Sequence, residues 1–202
     1  MDVPGIKGSA FEAVVTDLVA AIEAGRISRE AVEARLEPED LAVLDSKIVA
    51  SSWYPIEIYQ RLSEILVEVE GGGKPEYVLA RGARAAERLF TAGLYQQLRF
   101  GEERGRAIQD GGELWSQRDG AIMATLAGAI FNFSKWRFEV VDAAKGTHRI
   151  EVTGAAPMPE VARLAAQGFI EYTSSRLSGT PLRVESHRPE PDRIVFSIGR
   201  AR

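Results

Sequence analysis

The chain contains no cysteine. Disulfides, thiol catalysis, iron–sulfur clusters, cysteine-based zinc sites and S-palmitoylation are thereby excluded. Its two histidines, His148 and His187, are too few for a three-histidine metal site. No apolar run reaches the ~20 residues of a membrane span. The longest candidate, Ala121 to Phe133, is short and interrupted by Thr125 and Asn132. A basic surplus is also missing, since 25 Lys and Arg stand against 29 Asp and Glu, a net charge of −4. Nucleic acids and anionic membranes favour a positive surplus, so neither is expected as a partner. Met1-Asp2-Val3-Pro4-Gly5 carries no basic stretch followed by an apolar one. No signal peptide is expected from it, and a cytoplasmic location is. The patterns G-x-S-x-G, H-E-x-x-H, Walker A, G-x-G-x-x-G and the EF-hand loop are absent, so an enzyme is not expected.

What is present is ordinary globular material: 202 residues, 45% hydrophobic and 27% charged. A chain of this size buries roughly 70% of its unfolded surface, enough for a core without staples. We read it as a single domain, 1–202. It has an N-terminal helical segment (1–50), central helices (51–134) and an antiparallel sheet with a crossover helix (135–202).

Ser9 is placed to cap a first helix, whose Phe11, Val14, Val15, Leu18, Val19 and Ile22 share one face, with Gly25 as its stop. Ser28 is placed to cap a short helix holding Val32 and Leu36, and a third turn carries Leu41, Val43 and Leu44. Pro55 is expected at the first position of an amphipathic helix striped by Ile58, Leu62, Ile65 and Val69, with Tyr59 and Leu66 beside it. Gly71-Gly72-Gly73 breaks it; without a preceding strand the triplet is not a phosphate loop. The next helix is expected over 75–95, where Gly82, Ala83 and Ala86 offer a face to a closely approaching backbone. A loop over 96–112 and a helix over 113–134 follow.

From residue 135 the period changes to two. Trp136, Phe138 and Val140 alternate with polar residues, as do His148, Ile150 and Val152. The loop 142–146, with Gly146 supplying positive φ, closes a hairpin that sets Glu139 opposite Arg149 and Arg137 opposite Glu151. A helix then carries Val161, Leu164, Ala165, Gly168, Phe169 and Tyr172 on one stripe and ends near Gly179. A second hairpin turns through 189–192. The fold class is therefore α+β: an N-terminal helical region, then a four-stranded antiparallel sheet built hairpin–helix–hairpin and covered on one face by helices.

Three features carry a family resemblance. They are Ser52-Trp53-Tyr54-Pro55 leading into an amphipathic helix, the Arg-Gly-Ala-rich helix ending Leu89-Phe90-Thr91-Ala92-Gly93-Leu94-Tyr95, and a hairpin–helix–hairpin tail containing Gly168-Phe169-Ile170-Glu171. Together they resemble the superfamily joining heme–nitric-oxide-binding (H-NOX) domains, vinyl-reductase-type small-molecule-binding domains and TRAPP-type trafficking subunits. Within it, the chain looks most like an uncharacterised bacterial paralogous family of about this length. The resemblance implies a scaffold with an apolar cavity between helices and sheet. The proximal histidine of H-NOX domains has no counterpart, since both histidines lie in the strand region, and neither have the cysteines of the other branches, so no heme, metal or other cofactor is expected.

Ligand-lining candidates are the aromatic residues Trp53, Tyr54, Tyr59, Phe90, Tyr95, Trp115 and Phe131, with Phe133 beside them. The alternative for each is ordinary core packing. Trp53-Tyr54-Pro55 is the candidate pocket mouth, because a helix N-terminus behind it would orient an anionic group. His148 is expected on the apolar side of its strand and His187 on the polar side, which argues against a shared metal site. Arg81, Arg84, Arg88, Arg99, Arg104 and Arg106 form a basic middle diluted by Glu87, Glu102 and Glu103. Asp110, Glu113 and Asp119 lack metal-ligand spacing. The expected function is a non-catalytic small-molecule-binding or sensory module without heme ligands. Its expected partners are a small hydrophobic ligand and a second copy of the chain. The alternative is a TRAPP-like structural interaction subunit without ligand.

Overall fold

The computed structural model describes residues 3–91, 117–142 and 145–200. The N-terminal helical region starts with a short strand, β1 (Gly5–Lys7), and then α1 (Gly8–Glu23), which turns Phe11, Val14, Val15, Leu18 and Ala21 inward. Ser9 is not its cap. The helix begins one residue earlier, and its first amides are taken by backbone: Gly8 N donates to Ser52 O at 2.8 Å and Ser9 N to Ala50 O at 3.0 Å. Gly25, at φ 68°, ends α1 as expected.

Ser28 does cap α2 (Arg29–Glu33), its Oγ accepting from Ala31 N at 3.2 Å. Pro38 opens α3 (Pro38–Leu44), where Glu37 and Asp40 form a capping box. Asp40 is 1% exposed. Its carboxylate takes Arg61 Nε at 2.5 Å, Arg61 Nη2 at 2.8 Å and Glu37 N at 3.1 Å, so one buried acid fastens α3 to the following long helix.

Trp53-Tyr54-Pro55 is a strand, β2, paired antiparallel with β1 so that Ile6 faces Tyr54. Three residues are too few to show a period of two, which is why the sequence reads there as a junction. Pro55 consequently sits at the N-cap of α4 (Ile56–Val69) and not at its first turn. This helix buries Ile58, Tyr59, Leu62, Ile65 and Leu66, and Gly72 and Gly73 at φ 58° and 76° end it.

The described part of the next helix, α5, spans Pro75–Thr91. The expected loop over 96–112 lies outside the described residues. The helix expected over 113–134 is shorter at its far end: α6 covers Gln117–Gly128. Beyond it, Phe131 bridges Ile6, and Asn132 competes for backbone partners. Its Oδ1 accepts from Gly5 N at 2.7 Å and its Nδ2 donates to Val3 O at 3.0 Å.

Four strands follow: β3 (Lys135–Asp142), β4 (Thr147–Thr153), β5 (Leu182–Glu190) and β6 (Arg193–Arg200). They form one antiparallel sheet in the order β3-β4-β6-β5. Rows such as Trp136–Val152–Ile194 and Phe138–Ile150–Phe196 face the core. The opposite face is largely wet and charged. Glu139 lies opposite Arg149 and Arg137 opposite Glu151, as expected. Glu139 and Arg149 form an ion pair at 2.6 Å, whereas Glu151 takes Arg193 at 3.1 Å. The second hairpin turns later than expected. A register shift between His187 and Glu190 absorbs Pro189, which has no N–H to donate, so Pro189 and Glu190 stay in β5.

Between the hairpins runs α7 (Glu160–Ser178), closed by Gly179 at φ 68°. Its most buried positions are Ala162, Gly168, Ile170, Thr173, Ser174 and Leu177. The expected stripe through Val161, Leu164 and Tyr172 is only half-buried. The helix is covered on two sides, by the sheet and by α5, so no single stripe describes it. The small face of α5 acts as expected: a Cβ on Gly82 would lie 1.9 Å from Ala165 O, and one on Gly168 would lie 2.0 Å from Leu79 O. No helix among the described residues is long and apolar enough to cross a membrane.

Candidate functional site

The expected lining residues occupy separate places. Trp53 is 43% exposed. The Lys7 ammonium lies over its ring, 4.1 Å from the centroid. The Tyr54 ring is stacked on Phe11 at 4.6 Å, and its hydroxyl accepts from Val49 N at 2.9 Å. Behind them the first amide of α4, Ile56 N, already donates to Pro4 O at 3.0 Å. Tyr59 is buried on α4, and burial pushes its phenol pKa up, against the opposing pull of Arg81 and Ser63. Phe131 packs on Phe133 at 5.6 Å and Trp136 at 6.1 Å. Ile6 thus has Tyr54 on one side and Phe131 on the other. Phe90 stands apart, near the last described residue of α5, 6.2 Å from Tyr172, with the Arg176 guanidinium 5.0 Å from its ring. Tyr95 and Trp115 lie outside the described residues, as do Arg99, Glu102, Glu103, Arg104, Arg106, Asp110 and Glu113.

Of the basic middle, Arg81 pairs with Asp17 at 2.9 Å and is largely covered, while Arg84 and Arg88 are exposed on the outer side of α5. His148 faces the core and stacks on Phe138 at 5.5 Å, whereas His187 is exposed on the other face of the sheet. No cluster of three or more potential metal ligands exists among the described residues.

The described surface also carries an open groove of about 710 Å³ between α5, α7 and the turn into β5. Its apolar wall is Leu79, Ala80, Ala83, Pro181, Leu182 and the ring of Tyr172. Gly168 and Gly179 also line it. Five polar side chains also line it: Glu171, Tyr172, Ser175, Arg176 and Thr180. Its size falls in the range usual for small-molecule sites, roughly 300–1,000 Å³. The sequence signal behind it is the run of small residues on α5 combined with the helix-ending Gly179. Each was legible alone, but their convergence depends on the packing of α7.

The heme that the resemblance to H-NOX domains implies finds no open place at the inward histidine, although the chain spells Tyr-x-Ser-x-Arg once, at Tyr172-Thr173-Ser174-Ser175-Arg176 on α7. His148 is the one imidazole aimed inward, and the phenyl ring of Phe138 is stacked on it. That ring is in turn pressed against the backbone of α6, where a Cβ on Gly120 would lie 2.3 Å from it. A macrocycle at His148 would have to displace this packed ring.

No protein-family model matches the chain, and no curated protein does. Solved structures do. A point mutant of the T. tengcongensis H-NOX domain aligns over 96% of this chain and 97% of its own, with 12% identity and a TM-score of 0.55. A Cs H-NOX mutant bearing 4-cyano-L-phenylalanine aligns over 96% of both chains, with 14% identity and a TM-score of 0.52. A structure described as modulating heme redox potential through protein-induced porphyrin distortion gives 13% identity and a TM-score of 0.51, over 96% of this chain and 99% of its own. At such identities the likeness establishes architecture, and the architecture of this chain is the H-NOX-like α+β fold.

Proposed function

We propose that this protein is a non-catalytic binding module on an H-NOX-like scaffold, without heme, taking a small apolar molecule in the groove between α5 and α7. The observation that carries this reading is the groove itself: about 710 Å³, walled by aliphatic side chains and one aromatic ring. The fold shared with H-NOX domains supports it, because one of the similar solved structures is described by its heme and porphyrin. The dense packing of Phe138 against His148 and Gly120 supports a ligand other than heme.

The test is fluorescence titration of the full chain with the neutral probe N-phenyl-naphthylamine, with native mass spectrometry for stoichiometry. One saturable site is expected. It is lost in Ala80→Trp, whose indole fills the groove from an exposed position without entering the core. Absence of saturable binding, or binding untouched by this substitution, refutes the reading. A second reading, an interaction subunit without ligand, is favoured by the exposed Trp53 and Val49 beside β1. It predicts a partner protein whose binding fails on Trp53→Ala.

A further inference from the structure

Among the described residues, Glu171 is the one carboxylate in the lining of the groove, half-buried on α7. Its two oxygens differ. Oε2 accepts from Val184 N at 2.9 Å and so ties β5 to α7. Oε1 takes no donor from any described residue, and it is not among the unpartnered atoms sealed inside the protein. The neighbouring hydroxyls have protein partners. Ser175 Oγ accepts from Leu182 N at 2.9 Å and donates to Leu182 O at 3.2 Å, and Tyr172 Oη accepts from Arg176 Nη1 at 3.1 Å. The end of α7 adds to the negative character of this wall: Gly179 closes the helix at the groove, and the last carbonyls of a helix carry partial negative charge. Arg176, in the last turn, offsets part of that field, but a guanidinium has no acceptor to offer.

We propose that the ligand of this groove is an apolar primary amine, whose ammonium head donates to Glu171 Oε1 while its hydrocarbon body lies against Leu79, Ala80, Ala83 and the Tyr172 ring. The inference rests on the binding-module reading above and adds the ligand's head group. Reaching Oε1 breaks no bond of the protein, because Oε2 keeps the Val184 amide. A ligand lying along α7 shields Oε1 from solvent, and a carboxylate oxygen shielded without a donor is unfavourable. A hydroxyl head supplies one donor, whereas an ammonium supplies three together with a full charge, so its charge-assisted bond is the stronger. A carboxylate head supplies no donor and meets Glu171 with like charge.

The experiment uses the full chain at neutral pH and three probes on one skeleton: naphthylmethylammonium, naphthalene-methanol and naphthoate. Calorimetry reports affinity at low and high salt. The ammonium is expected to bind about tenfold more tightly than the alcohol, an advantage that shrinks as salt is added, with naphthoate weaker than either. In Glu171→Gln the amide oxygen keeps an acceptor for Val184 N, and an NH2 group replaces the open oxygen. The ammonium should then lose its advantage while the affinity of the alcohol changes little. An alcohol bound by the wild-type chain as tightly as the ammonium overturns the inference, with no variant needed. So does an ammonium preference that survives Glu171→Gln, or naphthoate as the tightest of the three. Each of these results leaves the groove as a site and removes only the head group assigned to its ligand. Saturable binding of none of the three removes the site itself, and the inference with it.

Discussion

Glu139 and Arg149 face each other on the wet side of the sheet, and their pairing sets a pH dependence. The hydrogen bond from the guanidinium, with its charge behind it, holds the Glu139 carboxyl below the usual range. A carboxyl lowered on folding stabilises the protein above its unfolded pKa. That contribution is lost as the pH falls through the lowered value. Thermal melts of Glu139→Gln should therefore show a reduced midpoint at neutral pH and a shrinking difference from wild type in acid. A difference that survived unchanged in acid would assign the effect to packing. The change is small, because the partners are 44% and 40% exposed and water screens them. Glu68 with Arg35 and Asp45 with Arg29 carry the same sign. The Glu139–Arg149 pairing was legible in the sequence because a hairpin with alternating residues and a glycine in its loop determines its own register. Asp40 with Arg61, 21 residues away, was not legible. Nothing in a lone acid says which distant cation will meet it.

The contact between α5 and α7 is made backbone to backbone. A methyl group on Gly168 would stand 2.0 Å from Leu79 O and 2.7 Å from its carbonyl carbon, so one helix must move. Alanine gains ~1 kcal/mol in helix propensity, but overpacking costs ~1–3 kcal/mol or more. Denaturant unfolding of Gly168→Ala should accordingly show a net loss of stability. Gly120→Ala should lose less. Its methyl meets the ring of Phe138, and a ring can turn aside more cheaply than a helix can shift. Equal losses would mean that the α5–α7 contact yields as readily as a side chain. The long helices and hairpins were legible because each repeats its period often enough to be counted. The three-residue strands β1 and β2 were not, and neither was the buried face of α7, where Thr173 and Ser174 replace the apolar residues a reader looks for.

At the scale of the whole molecule, an H-NOX-like frame is combined with a core that leaves no room at its inward imidazole. Hemin added to the purified chain should give no stoichiometric histidine-ligated Soret band. Such a band, abolished by His148→Ala, would show that Phe138 yields to a macrocycle. The layering of helices on a sheet could be read from the order of elements, whereas the strand order β3-β4-β6-β5 could not. Each hairpin is a local matter, but the edge by which two hairpins join depends on how α7 crosses. The Asn132 clamp has a consequence for biosynthesis. Gly5 N–H and its Asn132 acceptor are separated by 127 positions in the chain. A ribosome delivers the first segment long before the second, so that amide stays hydrated while the early helices emerge. Closure of this clamp is therefore a late, long-range event, of the kind that slows folding, and nascent chains halted before residue 132 would carry an unfinished N-terminal layer.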